Sequence, residues 1–171
     1  MSVKIGQCTN ADVYLNGDNL VGRFKDFQLP DLEYKEVTHE TLGQIAVLSM
    51  PGRPLQALKG KGTIDFLDRD LYPQLLNPTV TLPFALHSYV DVFNTGGVDV
   101  ANSYRIVTNV TMSIRKVGGK PFKLGDAFEG EFEYVAQRFT QGVPGAKTPI
   151  VEVDVINQVH RILGQDVWPK F

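Results

Sequence analysis

Cysteine is almost missing from this chain of 171 residues: Cys8 stands alone. No intrachain disulfide can form, and a reducing compartment suits the sequence. No apolar run approaches the roughly 18 residues that a membrane helix needs, and Met1–Gln7 lacks the apolar stretch of a secretory leader. Charge of either sign is not in excess, with 17 Lys and Arg against 19 Asp and Glu. That balance, with a pI of about 5.9, argues against a dedicated nucleic-acid or membrane-surface binder. Internal repeats and low-complexity tracts are absent as well. The expectation is a soluble protein made in a cytoplasm, with residues 1–171 forming one domain large enough for a real core.

Patterns that carry chemistry are equally sparse. His39, His87 and His160 are far apart, and none stands at HxH or HExxH spacing with another ligand type, so ordinary strand or loop histidines outweigh a metal site. Cys8 lies near what reads as a mobile terminus and lacks a local nucleophile signature. Glu129, Glu131 and Glu133 alternate along one strand face. A glycosidase needs its carboxyls across a cleft, about 5 Å or about 6.5–9.5 Å apart, whereas positions i and i+2 of a strand line a single surface. Gly60/Gly62 and Gly96-Gly97 lack the GxxxxGK[ST] and GxGxxG frames of phosphate loops. Lys59, Lys61 and Arg53 make a modest basic patch without interleaved aromatics, as suited to an acidic protein neighbour as to nucleic acid. No catalytic, cofactor-binding or metal-ligating residue is assigned.

What the chain does have is hydrophobic alternation of period two. Residues 27–37 and 57–67 read as strands, with Leu32 and Tyr34 on one face of the first and Leu58, Ile64 and Phe66 on one face of the second. Between them, Thr38–Gln56 mixes Gly43, Pro51, Gly52 and Pro54 with Leu42, Ile45, Val47, Leu48 and Met50. A hairpin normally closes in about two to five residues, so this reads as a long loop at about 38–56. Its apolar side chains need a cover, and a partner chain is one candidate. Upstream, Ala11–Leu15 is a short strand ending at an Asn16-Gly17-Asp18 turn, and Leu20–Leu29 returns until Pro30 interrupts the ladder. Downstream, Asp70 caps a short helix with Pro73 in its first turn and Leu71, Leu75 and Leu76 as its buried stripe.

The second half alternates more cleanly. Val80–Phe93 and Tyr104–Ile114 carry apolar residues mostly at even positions, and Gly118-Gly119 turns the chain. Phe128, Phe132, Tyr134 and Ala136 then oppose the glutamates, and Val151, Val153 and Val155 oppose Glu152 and Asp154. Asn157–Leu163 is favoured as a strand leading into a Gly164-Gln165-Asp166 hairpin. About seven strands and one short helix imply an all-β fold, mainly an antiparallel sandwich or barrel with a long interface loop. Phe84, Leu86, Ile106, Val110, Phe132 and Tyr134 are expected in its core.

Leu15-Asn16-Gly17-Asp18-Asn19-Leu20-Val21-Gly22, followed by Phe27–Leu32, resembles the N-terminal region of the major tail tube proteins of contractile-tailed bacteriophages. Val151–Asn157 with Gly164-Gln165-Asp166 is similar to the C-terminal strand and turn of the same family, and the order of elements between them agrees. The resemblance implies a structural subunit whose hexameric rings stack into a hollow tube inside a contractile sheath. DNA would pass through without specific binding. The implied partners are further copies of the chain, the tail sheath protein, and the tape measure and baseplate or terminator proteins. No cofactor, catalysis or membrane insertion is implied, and the location is the virion tail, assembled in the bacterial host cytoplasm. Leu42, Ile45, Val47, Leu48 and Met50 would then form a subunit interface, and Glu129, Glu131 and Glu133 would face the lumen. The tube of a phage-derived bacteriocin or secretion system fits the same pattern. Other classes are a carbohydrate-binding β-sandwich, with Tyr89, Phe93 and Tyr104 as its platform, and a small hydrolase using the glutamate strand.

Overall fold

The longest alternating runs become the longest strands. The structure, a computed structural model, describes residues 4–43 and 45–169. Its elements are β1 (Ile5–Leu15), β2 (Asp18–Asn19), β3 (Phe24–Gln28), β4 (Tyr34–His39), β5 (Leu48–Leu55), β6 (Leu58–Ile64) and α1 (Tyr72–Leu76). They continue with β7 (Leu82–Asn94), β8 (Gly97–Val98), β9 (Tyr104–Gly118), β10 (Gly130–Gly142), β11 (Val151–Asp154), β12 (Val159–Ile162) and β13 (Gln165–Asp166). The architecture is all-β and antiparallel, as expected. The main sheet runs β13-β12-β11-β10-β9-β7-β1-β2, and β4 and β5 form a two-stranded sheet of their own.

β10 is where the sheet divides. One edge pairs with β9 along its length. The other edge is shared, with Gly130–Ala136 pairing β6 and Arg138–Gln141 pairing β11. The handover falls at Gln137, where the β10–β9 register also shifts between Ala136 and Arg138. A bulge of this kind bends the strand and increases its twist, so β6 and its neighbour β3 diverge from the plane of β11–β13. Among the described strands β3 forms a ladder only with β6, yet its rings reach strands on the far side. Phe24 and Phe27 lie 5.9 and 5.7 Å from Phe84 of β7, centroid to centroid, and Phe27 stacks on Tyr134 of β10 at 5.6 Å. The result is a barrel closed on one side by side chains rather than by a ladder.

Two glycines permit that closure. A Cβ on Gly62 would lie 2.5 Å from Cζ of Phe132, and one on Gly60 would collide with the Tyr134 ring and with the Gln28 carbonyl. The rings therefore lie flat on bare backbone, and the Tyr134 hydroxyl donates to the Gln28 carbonyl at 2.7 Å, tying β10 to the end of β3. Burial, with the Asp31 charge as a lesser cause, raises the affinity of that phenol for its proton. The glycine pair that fails as a phosphate loop is a seat for two aromatic rings.

The core holds Phe84, Leu86, Val110, Phe132 and Tyr134 as expected, while Ile106 is only half-buried. Leu58 and Ile64 are buried, but Phe66 lies beyond the end of β6 and is exposed. The run 27–37 is not one strand: β3 stops at Gln28, β4 starts at Tyr34, and Leu32 between them is exposed. Pro30 supplies the break, having no N–H to donate. β1 starts at Ile5 rather than at Ala11, so Cys8 sits in a paired strand opposite Val90. Residues 4–11 are exposed, which explains why they show no alternation.

The helix forms where expected, but Asp70 does not cap it: Leu71 is the N-cap residue, with no side-chain cap bond. Asp68 instead ties the turn that leads into the helix, accepting the backbone N–H groups of Asp70 (2.8 Å) and Leu71 (3.1 Å) and pairing with Arg23 at 2.9 Å. Those N–H bonds, Asp70 first, hold its carboxyl below the usual range. Leu71 and Leu75 are buried, whereas Leu76 faces solvent, because a helix of five residues presents only about one turn to the core. Of the stretch Asn157–Leu163, Val159–Ile162 forms β12 and leads into β13 as a hairpin, as favoured, while Asn157, Gln158 and Leu163 lie in turns. Asp154 is buried, its carboxylate accepting from the Asn157 backbone and amide at 2.9 and 2.8 Å, and Val155 is exposed in the turn.

Phe132 is 1 % exposed and contacts rings from β3 on two sides. Phe132→Ala is expected to cost about 3–5 kcal/mol in chemical denaturation of the unassembled chain. A loss under about 1 kcal/mol would place this strand's core face on the other side.

Candidate functional site

The segment 38–56 is not an irregular loop. β4 and β5 pair in one register from His39↔Leu48 to Glu36↔Pro51, and after a register shift meet again at Tyr34↔Leu55, leaving 40–43 and 45–47 as the described part of the tip. Pro51 and Pro54 made a strand look improbable, but in a two-stranded ribbon each strand keeps one free edge, where a missing N–H costs no ladder bond. Leu42 and Ile45 at the tip are fully exposed, and Val47, Leu48 and Met50 are roughly half exposed. The five residues expected to form a subunit interface thus come together on one arm, uncovered within the chain.

The arm joins the body at Tyr34. Its ring stacks on His160 of β12 at 5.8 Å, and the Tyr34 hydroxyl lies 3.4 Å from Nε2 of that histidine. Leu55, at the end of β5, packs against the core. Beside this joint is a cavity of about 380 Å³ whose walls include Leu55, Leu58, Val135, Val153, His160 and Trp168. Leu58, Val153 and His160 are buried. Nδ1 of His160 is buried without a hydrogen-bond partner among the described residues, and burial depresses the proton affinity of the ring.

Two further features bear on assembly. β2 covers only Tyr14 and Leu15 of β1, so the second edge of Ile5–Val13 meets no strand among the described residues. The β9–β10 connection, 119–129, carries Phe122 and Leu124, both strongly exposed, with Phe122 stacked on Phe128 at 5.0 Å. Sequence reading missed this loop by treating Gly118-Gly119 as a simple turn. The apolar pair Phe122 and Leu124, bracketed by Gly119 and Gly125, was the available cue.

Glu131 and Glu133 occupy the face of β10 away from the core, and Glu129 lies one residue before the strand. All three are ion-paired: Glu129 with Lys25 and Lys120, Glu131 with Lys120, and Glu133 with Arg115 and Lys116. Hydrogen bonding from Lys25 and then Lys120 holds Glu129 low, and Arg115 does the same for Glu133. The row is a charge lattice rather than a bare acidic surface.

The sequence matches the family described as phage tail tube protein FII over residues 7–171. The chain belongs to this family. It is a structural subunit of a phage-type tail tube, a component of the virion tail. The fold agrees with two chains of an extracellular contractile injection system in the extended state. The PVC sheath/tube terminator is 14% identical with a TM-score of 0.54, covering 78% of this chain and 93% of that one. A chain of the PVC sheath-tube complex is 14% identical with a TM-score of 0.53, covering 78% and 88%. No curated protein matches the chain.

The tube protein's remaining candidate groups do not converge. Tyr89 is opposite Arg105 and Tyr104 opposite Val90, which puts the two tyrosines on opposite faces of the β7–β9 pair rather than on one carbohydrate platform. His87 rests against the Tyr14 ring at 4.7 Å and His39 is on the arm. Among the described residues no three His, Cys, Asp or Glu side chains are placed to share a metal ion.

His160 makes the joint sensitive to acid. Its proton affinity is depressed in the folded tube protein, so the unfolded chain binds the proton more readily. The associated stability is present above about pH 6.5 and is lost as pH falls toward the depressed value. His160→Phe, which keeps a ring on Tyr34, is expected to flatten the loss of stability just below pH 6.5. Parallel denaturation curves across that range measure it, and identical slopes for both proteins would contradict it.

Proposed function

We propose that six copies of the chain close into a ring, and that rings stack into a hollow tube enclosed by a contractile sheath. The exposed apolar arm carries this reading. Each aliphatic side chain fully buried on assembly would contribute roughly 1.5–3 kcal/mol, so Leu42, Ile45, Val47, Leu48 and Met50 together are enough to decide association. The unpaired edge of β1 supports it too, because ring closure removes the liability of an open strand. The tube chain works by shape, without catalysis. Its neighbours would be the sheath, a terminator at one end, and the tape measure and baseplate proteins, with assembly in the bacterial host cytoplasm. In this reading residues 1–171 act as one unit from which the arm projects.

Replacing Thr38–Gln56 with a short Gly-Ser turn is expected to leave a folded β protein that stays monomeric by mass measurement and forms no rings or tubes in negative stain. Normal tubes from that variant would show the arm to be dispensable.

The lumen is assigned to the face bearing Glu131 and Glu133, with Glu129 at its margin. DNA would pass along it without specific binding, since the glutamates neutralise Lys25, Lys116, Lys120 and Arg115, which would otherwise hold phosphates. Changing the three glutamates to Gln leaves those cations unpaired. Particles built from that variant should eject DNA slowly at low salt, with the defect shrinking as salt rises. Wild-type ejection from correctly assembled variant particles would move the lumen to another face. The likeness to chains of an extracellular injection system favours a second reading, a tube that delivers a payload other than a genome; particles free of nucleic acid would select it.

A further inference from the structure

The cavity at the foot of the arm is lined largely by apolar side chains. Its floor is made by Leu58 and Val153, both essentially buried, and its rim by Leu55, Trp168 and Arg53. At about 380 Å³ it lies at the low end of the range, roughly 300–1,000 Å³, that encloses small ligands. That is room for a few aliphatic side chains. Its walls also carry the polar side chains of Gln56, Asp154, Gln158 and His160. Gln56 donates to Glu33 and Asp154 accepts from Asn157, and the buried Nδ1 of His160 has no partner among the described residues.

The arm of the same chain cannot fill this recess. β4 is six residues long, and at about 3.3 Å per residue the tip stands roughly 20 Å from the base. The recess includes that base, Arg53 and Leu55 of β5. Leu42 and Ile45 at the tip are fully exposed within the chain, so the recess is not filled by its own tip, and tip and recess would meet between chains. Their charges are complementary. Glu40 is the one charged residue in the tip segment 40–47, and Arg53 is the cation on the rim. Neither has an ion-pair partner among the described residues.

We infer that the arm tip of one subunit, Leu42, Ile45 and Val47 with Glu40, docks in the recess beside Arg53 and Trp168 at the foot of the arm of the next copy. The inference rests on the assembly reading above and names the surface that receives the arm. The contact is heterologous: each chain offers a tip and a recess that are different patches. It therefore propagates from copy to copy, closing as a ring or continuing along an axis, and does not stop at a pair. Burial of the aliphatic tip would supply the attraction, and the Glu40–Arg53 pair the register.

Site-directed cross-linking in assembled protein tests this. In a Cys8→Ser background, one protein carries Val47→Cys at the tip and a second carries Gln158→Cys at the recess. They are mixed, assembled and treated with a short bis-maleimide, and negative-stain images are taken of the same sample. The expected result is a covalent dimer that requires both proteins, and a ladder of higher species when both cysteines are in one chain. Rings or tubes with no tip-to-recess product would overturn the docking site while leaving the tube reading intact. A product formed only with a third protein, Leu124→Cys on the β9–β10 connection, would do the same. Failure of the background protein itself to assemble would overturn both. Charge reversal gives an independent readout: Glu40→Arg and Arg53→Glu should each raise several-fold the concentration needed for assembly, and the double reversal should restore it. A double variant no better than the singles would remove this pair from the interface.

Discussion

Two aromatic rings resting on bare backbone hold the rest of the structure in place. Phe132 and Tyr134 on β10 lie against Gly62 and Gly60 on the paired strand β6, at a spacing that any side chain on either glycine would prevent. Because β6 is drawn that close, β3 beyond it can deliver Phe24 and Phe27 to Phe84. The curl of β6–β3 over the core then depends on ring packing, reinforced by a hydrogen bond from Tyr134 to Gln28 and by the Lys25–Glu129 ion pair. Such packing is direction-specific and tolerates little change of volume. It makes a rigid body out of a sheet that does not close through its own ladder.

That rigidity matters because the outer surfaces are unusually demanding. The arm leaves the body at the exposed stretch before Tyr34 and is anchored there by the Tyr34–His160 stack. Everything distal to it is a ribbon of two edge strands with apolar side chains in water, and β1 leaves a further edge without a strand. In a monomer both features are liabilities. In the proposed tube both features would be covered by neighbouring copies. The glutamate row is built differently. Its carboxylates are committed to cations on β3, on β9 and in the β9–β10 connection, so that face presents neither a bare acid nor a bare base.

The strands of the second half were legible because each buries one face: Phe84 and Leu86 on β7, Val110 and Met112 on β9, Phe132 and Tyr134 on β10 alternate with more exposed neighbours. Residues 5–10 and 48–55 were not legible as strands for the converse reason. Exposed on nearly every side chain, they carry no burial pattern to read, and their strand character comes from pairing with residues far away or across a ribbon. Asp70 reads as a helix cap from its position, yet its side chain does not cap the helix. Asp68 orders the preceding turn instead, with Arg23 arriving from another part of the chain to pair with its carboxylate.

By itself, then, the amino-acid sequence determined the all-β class, the main core residues and the concentration of apolar residues in 42–50. Those properties reside in local alternation and composition, which pairing cannot alter. Only the tertiary structure decided that β10 shares one edge between β6 and β11, that Gly60 and Gly62 are seats for aromatic rings, and that the apolar segment is a hairpin with a recess at its foot. It also decided that each glutamate of the row has a cation beside it. All of these depend on contacts between residues distant in the chain, such as Lys25 with Glu129 and Tyr34 with His160. The energy of such contacts depends on proximity in space, and one-dimensional spacing carries no record of which distant residues the sheet will bring together.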